Sequence, residues 1–130
     1  MSTELSNREV VEQFMAAGDR GDLAAMSALL HEDMVMEFPQ SGERFTGRAN
    51  AAGAMEVQEV KPEPAGEGRM VGEGDTWVVM MPLRYGEDLY QYVGVLELEN
   101  GKIKRGTGYF AAAFPAQDYR ARFADPSDAS

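Results

Sequence analysis

The chain has 130 residues, 12 lysines and arginines against 22 aspartates and glutamates, and a formal charge of −10. That is room for one domain with one hydrophobic core, and a surface this acidic repels phosphate, which argues against nucleic acid and anionic membranes as partners. There is no cysteine and a single histidine, which excludes disulfides, thiolate nucleophiles, iron–sulfur clusters and multi-histidine metal sites, so no cofactor and no metal is expected.

No apolar run approaches the roughly 18 residues needed to cross a bilayer. Met1-Ser2-Thr3-Glu4-Leu5 has neither a basic stretch nor an apolar one, so a secretion signal is not expected and the cytoplasm is the default location.

Ser6-Asn7-Arg8-Glu9 fits a capping box, and Val10, Val11, Phe14, Met15 and Ala17 follow at helical spacing. Gly18-Asp19-Arg20-Gly21 ends that helix. Asp22 then caps a second, short helix with Leu23, Met26, Leu29 and Leu30 on one face. Met34 to Phe38 reads as a strand, Pro39 to Gly42 as a turn, and Arg48 to about Val57 as a third helix. Residues 61–75 are broken by Pro62, Pro64, Gly66, Gly68, Gly72 and Gly74. They form either a mobile loop or a poor edge strand around Arg69-Met70-Val71.

Three β-rich runs follow: Thr76 to Tyr85, Leu89 to Glu99 and Lys102 to Phe110. Gly86-Glu87 and Asn100-Gly101 separate them, and Asn-Gly is the strongest short hairpin signal because a type I′ turn needs positive φ at both central residues. Helices first and an antiparallel meander afterwards is an α+β pattern. Past Phe114-Pro115 the pattern is lost.

A two-residue turn at Gly86-Glu87 pairs Tyr85 with Asp88, Leu83 with Tyr90, Met81 with Tyr92, Val79 with Gly94 and Trp77 with Leu96. Paired residues share a face. This face, together with Leu98, is apolar and is expected to lie under the helices. The opposite face carries Met80, Val93 and Val95 among polar residues, too apolar for open water, and implies a second copy of the chain as partner. Parity is open past Arg105, where Gly106 or Gly108 could hold a bulge.

Several segments, in order, carry a resemblance: Val10 to Phe14, Gly21-Asp22-Leu23, Leu29 to Asp33, Gly47-Arg48 opening a helix, Glu99 to Ile103 and Tyr109-Phe110. Together they resemble the SnoaL-like family of the NTF2-like superfamily from about Ser6 to Phe123. The resemblance implies a cone of three N-terminal helices on a curved, mixed, mainly antiparallel sheet, α+β in class. It implies one domain over residues 1–130; the lack of pattern at the ends makes residues 1–5 and 124–130 the expected frayed segments. It also implies an apolar pocket for a small hydrophobic molecule, steroid- or polyketide-like, and a homodimer through the outer sheet face.

The family includes ketosteroid isomerases, polyketide cyclases, epoxide hydrolases and dehydratases, so the fold alone does not decide the chemistry. Carried over residue by residue, the isomerase's tyrosine falls at Phe14, its base near Phe38 and its aspartic acid at Gly94, none of which moves a proton. The cyclases' aspartate in the last strand falls within Gly106 to Phe110, which has no carboxylate. The epoxide hydrolases' Asp-Arg-Asp set finds no place.

The remaining candidates for chemistry are Glu37 and Tyr92. Strict alternation turns Glu37 away from Phe38; turned inward against an apolar wall it would be a usable base. Tyr90 and Tyr92 are either donors to a ligand carbonyl or core tyrosines, and Trp77 either a ligand platform or a core aromatic. His31, beside Glu32 and Asp33, reads as a cation at a helix end ahead of a catalytic group. The expected pocket lining is Phe14, Met36, Phe38, Trp77, Val79, Met81, Tyr90, Tyr92 and Leu96. Three functions stay open: a binding protein, an isomerase, cyclase or lyase/hydrolase using Glu37 or Tyr92, and a structural dimeric partner with a filled core.

Overall fold

The computed structural model describes residues 5–126. The fraying expected for residues 1–4 and 127–130 lies outside the described residues. Helix α1 (Asn7–Asp19) starts on the expected capping box: Glu9 N–H donates to Ser6 Oγ at 3.2 Å and Ser6 N–H donates to Glu9 Oε1 at 3.1 Å. Its buried side is Val10, Val11 and Ala17. Helix α2 (Leu23–Ala28) is capped by Asp22, whose Oδ1 accepts from Ala25 N–H at 3.0 Å. Helix α3 (Arg48–Glu56) buries only Ala51. Among the described residues no helix is long and apolar enough to cross a membrane.

The strands are β1 (Leu30–Phe38), β2 (Glu43–Thr46), β3 (Glu63–Pro64), β4 (Arg69–Glu73), β5 (Thr76–Tyr85), β6 (Asp88–Glu99) and β7 (Lys102–Ala112). They form one mixed sheet in the order β2-β1-β7-β6-β5-β3, with β4 also on β5. The β1–β7 pairing is parallel and the others are antiparallel. The β5–β6 register is the one derived from the turn, from Tyr85 opposite Asp88 to Trp77 opposite Leu96. Asn100 and Gly101 both have positive φ, 52° and 75°, as a type I′ turn demands. The segment at 61–75 settles as the two edge strands β3 and β4.

Four expectations are corrected. β1 begins at Leu30, four residues before Met34, because Leu30 is buried opposite Ile103 and Ile103 N–H donates to Leu29 O at 2.9 Å. A distant partner makes this strand where the local sequence shows no alternation. His31 therefore sits on a strand and complements no helix end. Its Nδ1 accepts from Asp33 N–H at 3.0 Å, and its Nε2 lies 3.7 Å from Glu99 Oε2. The bulge in β7 is at Lys104, since Glu97 opposes Arg105 while Leu98 opposes Ile103; Gly106 and Gly108 pair regularly with Leu96 and Gly94. Finally, β2 and a C-terminal 3₁₀ helix (Asp118–Phe123) appear where no element was expected.

The core unites the apolar face of α1 with the inner sheet face: Val10 and Val11 against Trp77, Val79, Leu96, Leu98 and Ile103, with Leu29, Leu30, Met34 and Ala51. Burial of such side chains stabilises by about 1.5–3 kcal/mol each, so this end carries most of the hydrophobic stabilisation. Trp77 is locked within it: its indole N–H donates to Gly74 O at 3.0 Å, and Arg8 lies over its ring. Gly72 lies opposite, and a Cβ there would come within 2.7 Å of the Trp77 ring.

Candidate functional site

Alternation along the strands divides the expected lining into two groups. Trp77, Val79 and Leu96, at 5%, 1% and 3% exposure, are core residues sealed by α1. These three expected ligand contacts thus lie in the closed part of the core. Phe14, Met36, Met81 and Tyr92 are partly buried and pack against that core. Phe38 and Tyr90, also partly buried, stand further along the sheet, where the side chains turn aromatic.

At that end six rings join. Phe38 packs edge-on against Phe45 and Phe110, with centroids 5.8 and 5.5 Å apart. Phe110 meets Tyr92 at 4.9 Å and Tyr85 at 6.3 Å, and Tyr85 meets Tyr90 at 5.4 Å. Offset and edge-on contacts of this kind are favoured by the ring quadrupole. Phe110 is held by Gln40, in the turn after β1. The Gln40 Nε2 donates to Phe110 O at 2.9 Å, and Phe110 N–H donates to Gln40 Oε1 at 2.6 Å. A side-chain amide thus extends the β1–β7 pairing by one step beyond Phe38.

Phe45, Tyr85 and Phe110 were missed as site residues. Phe45 lies on the unforeseen β2 and Phe110 lies beyond the bulge at Lys104, where parity was lost. Tyr85 had a usable signal, because its pairing with Asp88 already put it on the inner face.

The tyrosines are the titratable groups of this cluster. Burial pushes the Tyr92 hydroxyl up to about 12, with Tyr85 adding in the same sense. Burial also raises Tyr85, partly offset by a hydrogen bond from the Gln58 side chain. A phenol penalised in its charged form stays an O–H donor throughout the physiological range. None of the side-chain hydrogen bonds among the described residues ends on the Tyr92 hydroxyl. Yet among the described residues no fully enclosed side-chain oxygen lacks a partner, so this hydroxyl keeps contact with solvent. No charged side chain is buried among the described residues.

Glu37 turns the other way. It sits opposite Arg44 and Thr107 on the outer face, where its carboxylate binds Arg105 and lies 3.7 Å from Arg44. Arg105 also lies 3.8 Å from Glu97, giving a chain of four charges across β2, β1, β7 and β6. Glu37 thus stands on the face opposite the aromatic cluster. Two grooves of about 390 and 430 Å³ open elsewhere, one between α2 and α3 and one between β2 and α3. Neither is lined by Tyr92 or Phe110.

A model of the SnoaL-like domain matches residues 11–106. The chain belongs to the SnoaL-like family. An NTF2-like protein of unknown function from Burkholderia xenovorans is 31% identical, with a TM-score of 0.83 over 93% of this chain and 94% of that one. A candidate ketosteroid isomerase from Kribbella flavida is 23% identical, with a TM-score of 0.81 over 95% and 90%. A candidate polyketide cyclase from Pseudomonas putida is 25% identical, with a TM-score of 0.71 over 81% and 91%. No curated protein matches. The cone of helices on a curved mixed sheet is thus the SnoaL-like fold.

Proposed function

We propose that this SnoaL-like protein binds a small, apolar, ring-bearing molecule at the aromatic end of the cone, with Tyr92 donating a hydrogen bond to it. The observation that carries this reading is the Tyr92 hydroxyl: buried among rings, kept protonated by that burial, and without a protein partner among the described residues. Among the described residues only solvent is left to meet this hydroxyl, and a ligand oxygen can take that place without breaking a bond within the protein. The likeness to a candidate polyketide cyclase and a candidate ketosteroid isomerase is in keeping with a steroid- or polyketide-like ligand.

Binding is favoured over proton transfer. Tyr92 can stabilise negative charge developing on a ligand oxygen, but a hydroxyl titrating at about 12 is no base near neutrality. The residues at the family's acid and base positions, Phe14, Phe38 and Gly94, supply none, and Glu37 is engaged on the far face. Calorimetry with a panel of steroids and aromatic polyketides tests the reading. Saturable binding, weakened about tenfold in Tyr92→Phe, supports it; no binding by any member removes it. Turnover of a bound compound, abolished in Tyr92→Phe, would move the protein to the isomerases or cyclases.

The outer face supports a homodimer. Val71 and Tyr109 are 47% and 41% exposed, and Val78, Met80, Val93 and Val95 lie between them on adjacent strands. A contiguous apolar strip on a small domain marks an interaction surface, and a strip beside alternating charges can match its own two-fold image. Sedimentation of Val95→Glu against the parent chain decides this: the dimer is expected to dissociate in the variant only.

A further inference from the structure

Strand residues with ordinary φ have no conformational need for glycine. Gly94 and Gly108 are such residues, absent from the positions of positive φ. They face each other across β6 and β7 on the inner side of the sheet. Glycine weakens a strand interior and is kept where another group must come close. The space around both supplies that reason. A Cβ on Gly94 would stand 2.6 Å from the Tyr92 hydroxyl oxygen and 3.0 Å from its Cε2 and Cζ. A Cβ on Gly108 would stand 3.1 Å from Phe38 Cε1 and 3.2 Å from Tyr92 Cε1. The two glycines form a bare patch of backbone, and the Tyr92 ring folds along its own strand to cover it, as aromatics do beside glycine in sheets.

We infer that Gly94 is the positioning residue for Tyr92 and, through it, determines which ligands the site accepts. The hydroxyl occupies the place where the side chain of residue 94 would begin. The inner wall therefore presents a phenol at a position where any other residue would present its own side chain. That phenol offers one neutral donor, and no charged side chain is buried among the described residues to compensate an anion. The ligand class that fits is an apolar ring system bearing a neutral acceptor oxygen, a ketone or ester carbonyl; a carboxylate would be desolvated with no cation beside it. The ligand half of this inference rests on the proposed function, whereas the seat of Tyr92 does not.

Two measurements separate them. The first needs no ligand. In a rapid jump to about pH 11, a tyrosine titrating near 12 is about one-tenth ionised and one near 10 about nine-tenths. The parent chain is expected to show Tyr92 silent at 295 nm before unfolding, and Gly94→Ala to show about one additional fast-ionising tyrosine, because the evicted ring meets water. Gly94→Ala in a Tyr92→Leu background is expected to leave the melting temperature of that background unchanged. An unaltered burst in Gly94→Ala, or an equal loss of melting temperature in both backgrounds, overturns the seat.

The second measurement compares 1-acetonaphthone with 1-naphthoate. The parent chain is expected to prefer the ketone by about tenfold or more, and Gly94→Ala and Tyr92→Phe each to lose that preference. Equal affinity for both compounds in the parent chain, or a preference that survives Gly94→Ala, overturns the ligand class. Binding of neither, with the extra tyrosine still seen in Gly94→Ala, overturns the proposed function and the ligand class and leaves the seat standing.

Discussion

The two ends of the inner sheet face are built from different materials. Under α1 the face is aliphatic apart from Trp77, buried to a few per cent exposure, with the one indole N–H paired. Beyond Met36 and Met81 it is aromatic, half-buried and studded with three phenols, of which Tyr92 has no partner among the described residues. The first end is complete as it stands. The second retains a hydrogen-bond donor that no described residue accepts, and rings that meet edge to face rather than interdigitating with aliphatics. A small domain has stability to spare at few places, and here the aliphatic end supplies most of it.

The sharpest way to break this contrast is to remove side chains at each end. Leu96→Ala should destabilise by about 3 kcal/mol in denaturant titration, whereas Tyr90→Ala, at the half-buried end, should lose about half as much. Comparable losses would mean that the ends do not differ.

A high-pH experiment comes next in size. Tyr92 and Tyr85 bind their protons more tightly folded than unfolded. Above the unfolded value near 10 the unfolded chain releases protons that the folded chain keeps, so stability falls as pH rises. For Tyr92 the loss should be about 2–3 kcal/mol, accumulating between roughly pH 10 and 12 and complete above the folded value. Tyr92→Phe should flatten that part of the stability curve, and an unchanged slope would mean that folding does not raise the hydroxyl's pKa.

Ser6→Ala, at the head of the helix that seals the closed end, should cost about 1 kcal/mol in thermal unfolding through loss of the cap alone. Glu37→Gln should be smaller still, within about 1 kcal/mol as befits exposed ion pairs. It should also leave ligand affinity unchanged, and a large effect on binding would return Glu37 to the site.

Much of the contrast was legible in the amino-acid order. The turn at Gly86-Glu87 determines the β5–β6 register, and with it the inward direction of Trp77, Val79, Met81, Leu83, Tyr90 and Tyr92. The caps at Ser6 and Asp22 rest on contacts three residues away, so local sequence suffices. Features set by remote partners were hidden. Leu30 becomes a strand residue because of Ile103, and Phe110 faces inward because Lys104 bulges. The four residues of β2 hold one apolar ring, Phe45, and the other position on its face is Glu43, too little to show a period. The site was legible as a face and illegible as a cluster, since two of its six rings, Phe45 and Phe110, come from strands whose existence or parity local pattern does not determine. The bare patch at Gly94 and Gly108 was visible only as two glycines; that a ring lies over them is a tertiary fact.

The parallel pairing of β1 with β7 has a consequence for how the chain assembles. Leu30 meets Ile103, 73 positions later (103 − 30 = 73), whereas β5, β6 and β7 are joined by two-residue turns. Hairpins form early because little loop entropy is lost in closing them, and remote strands join late. The meander is thus the natural nucleus, and β1 with β2 is the final panel to attach. The vessel gains its last wall only after the strand that holds Ile103 has been made.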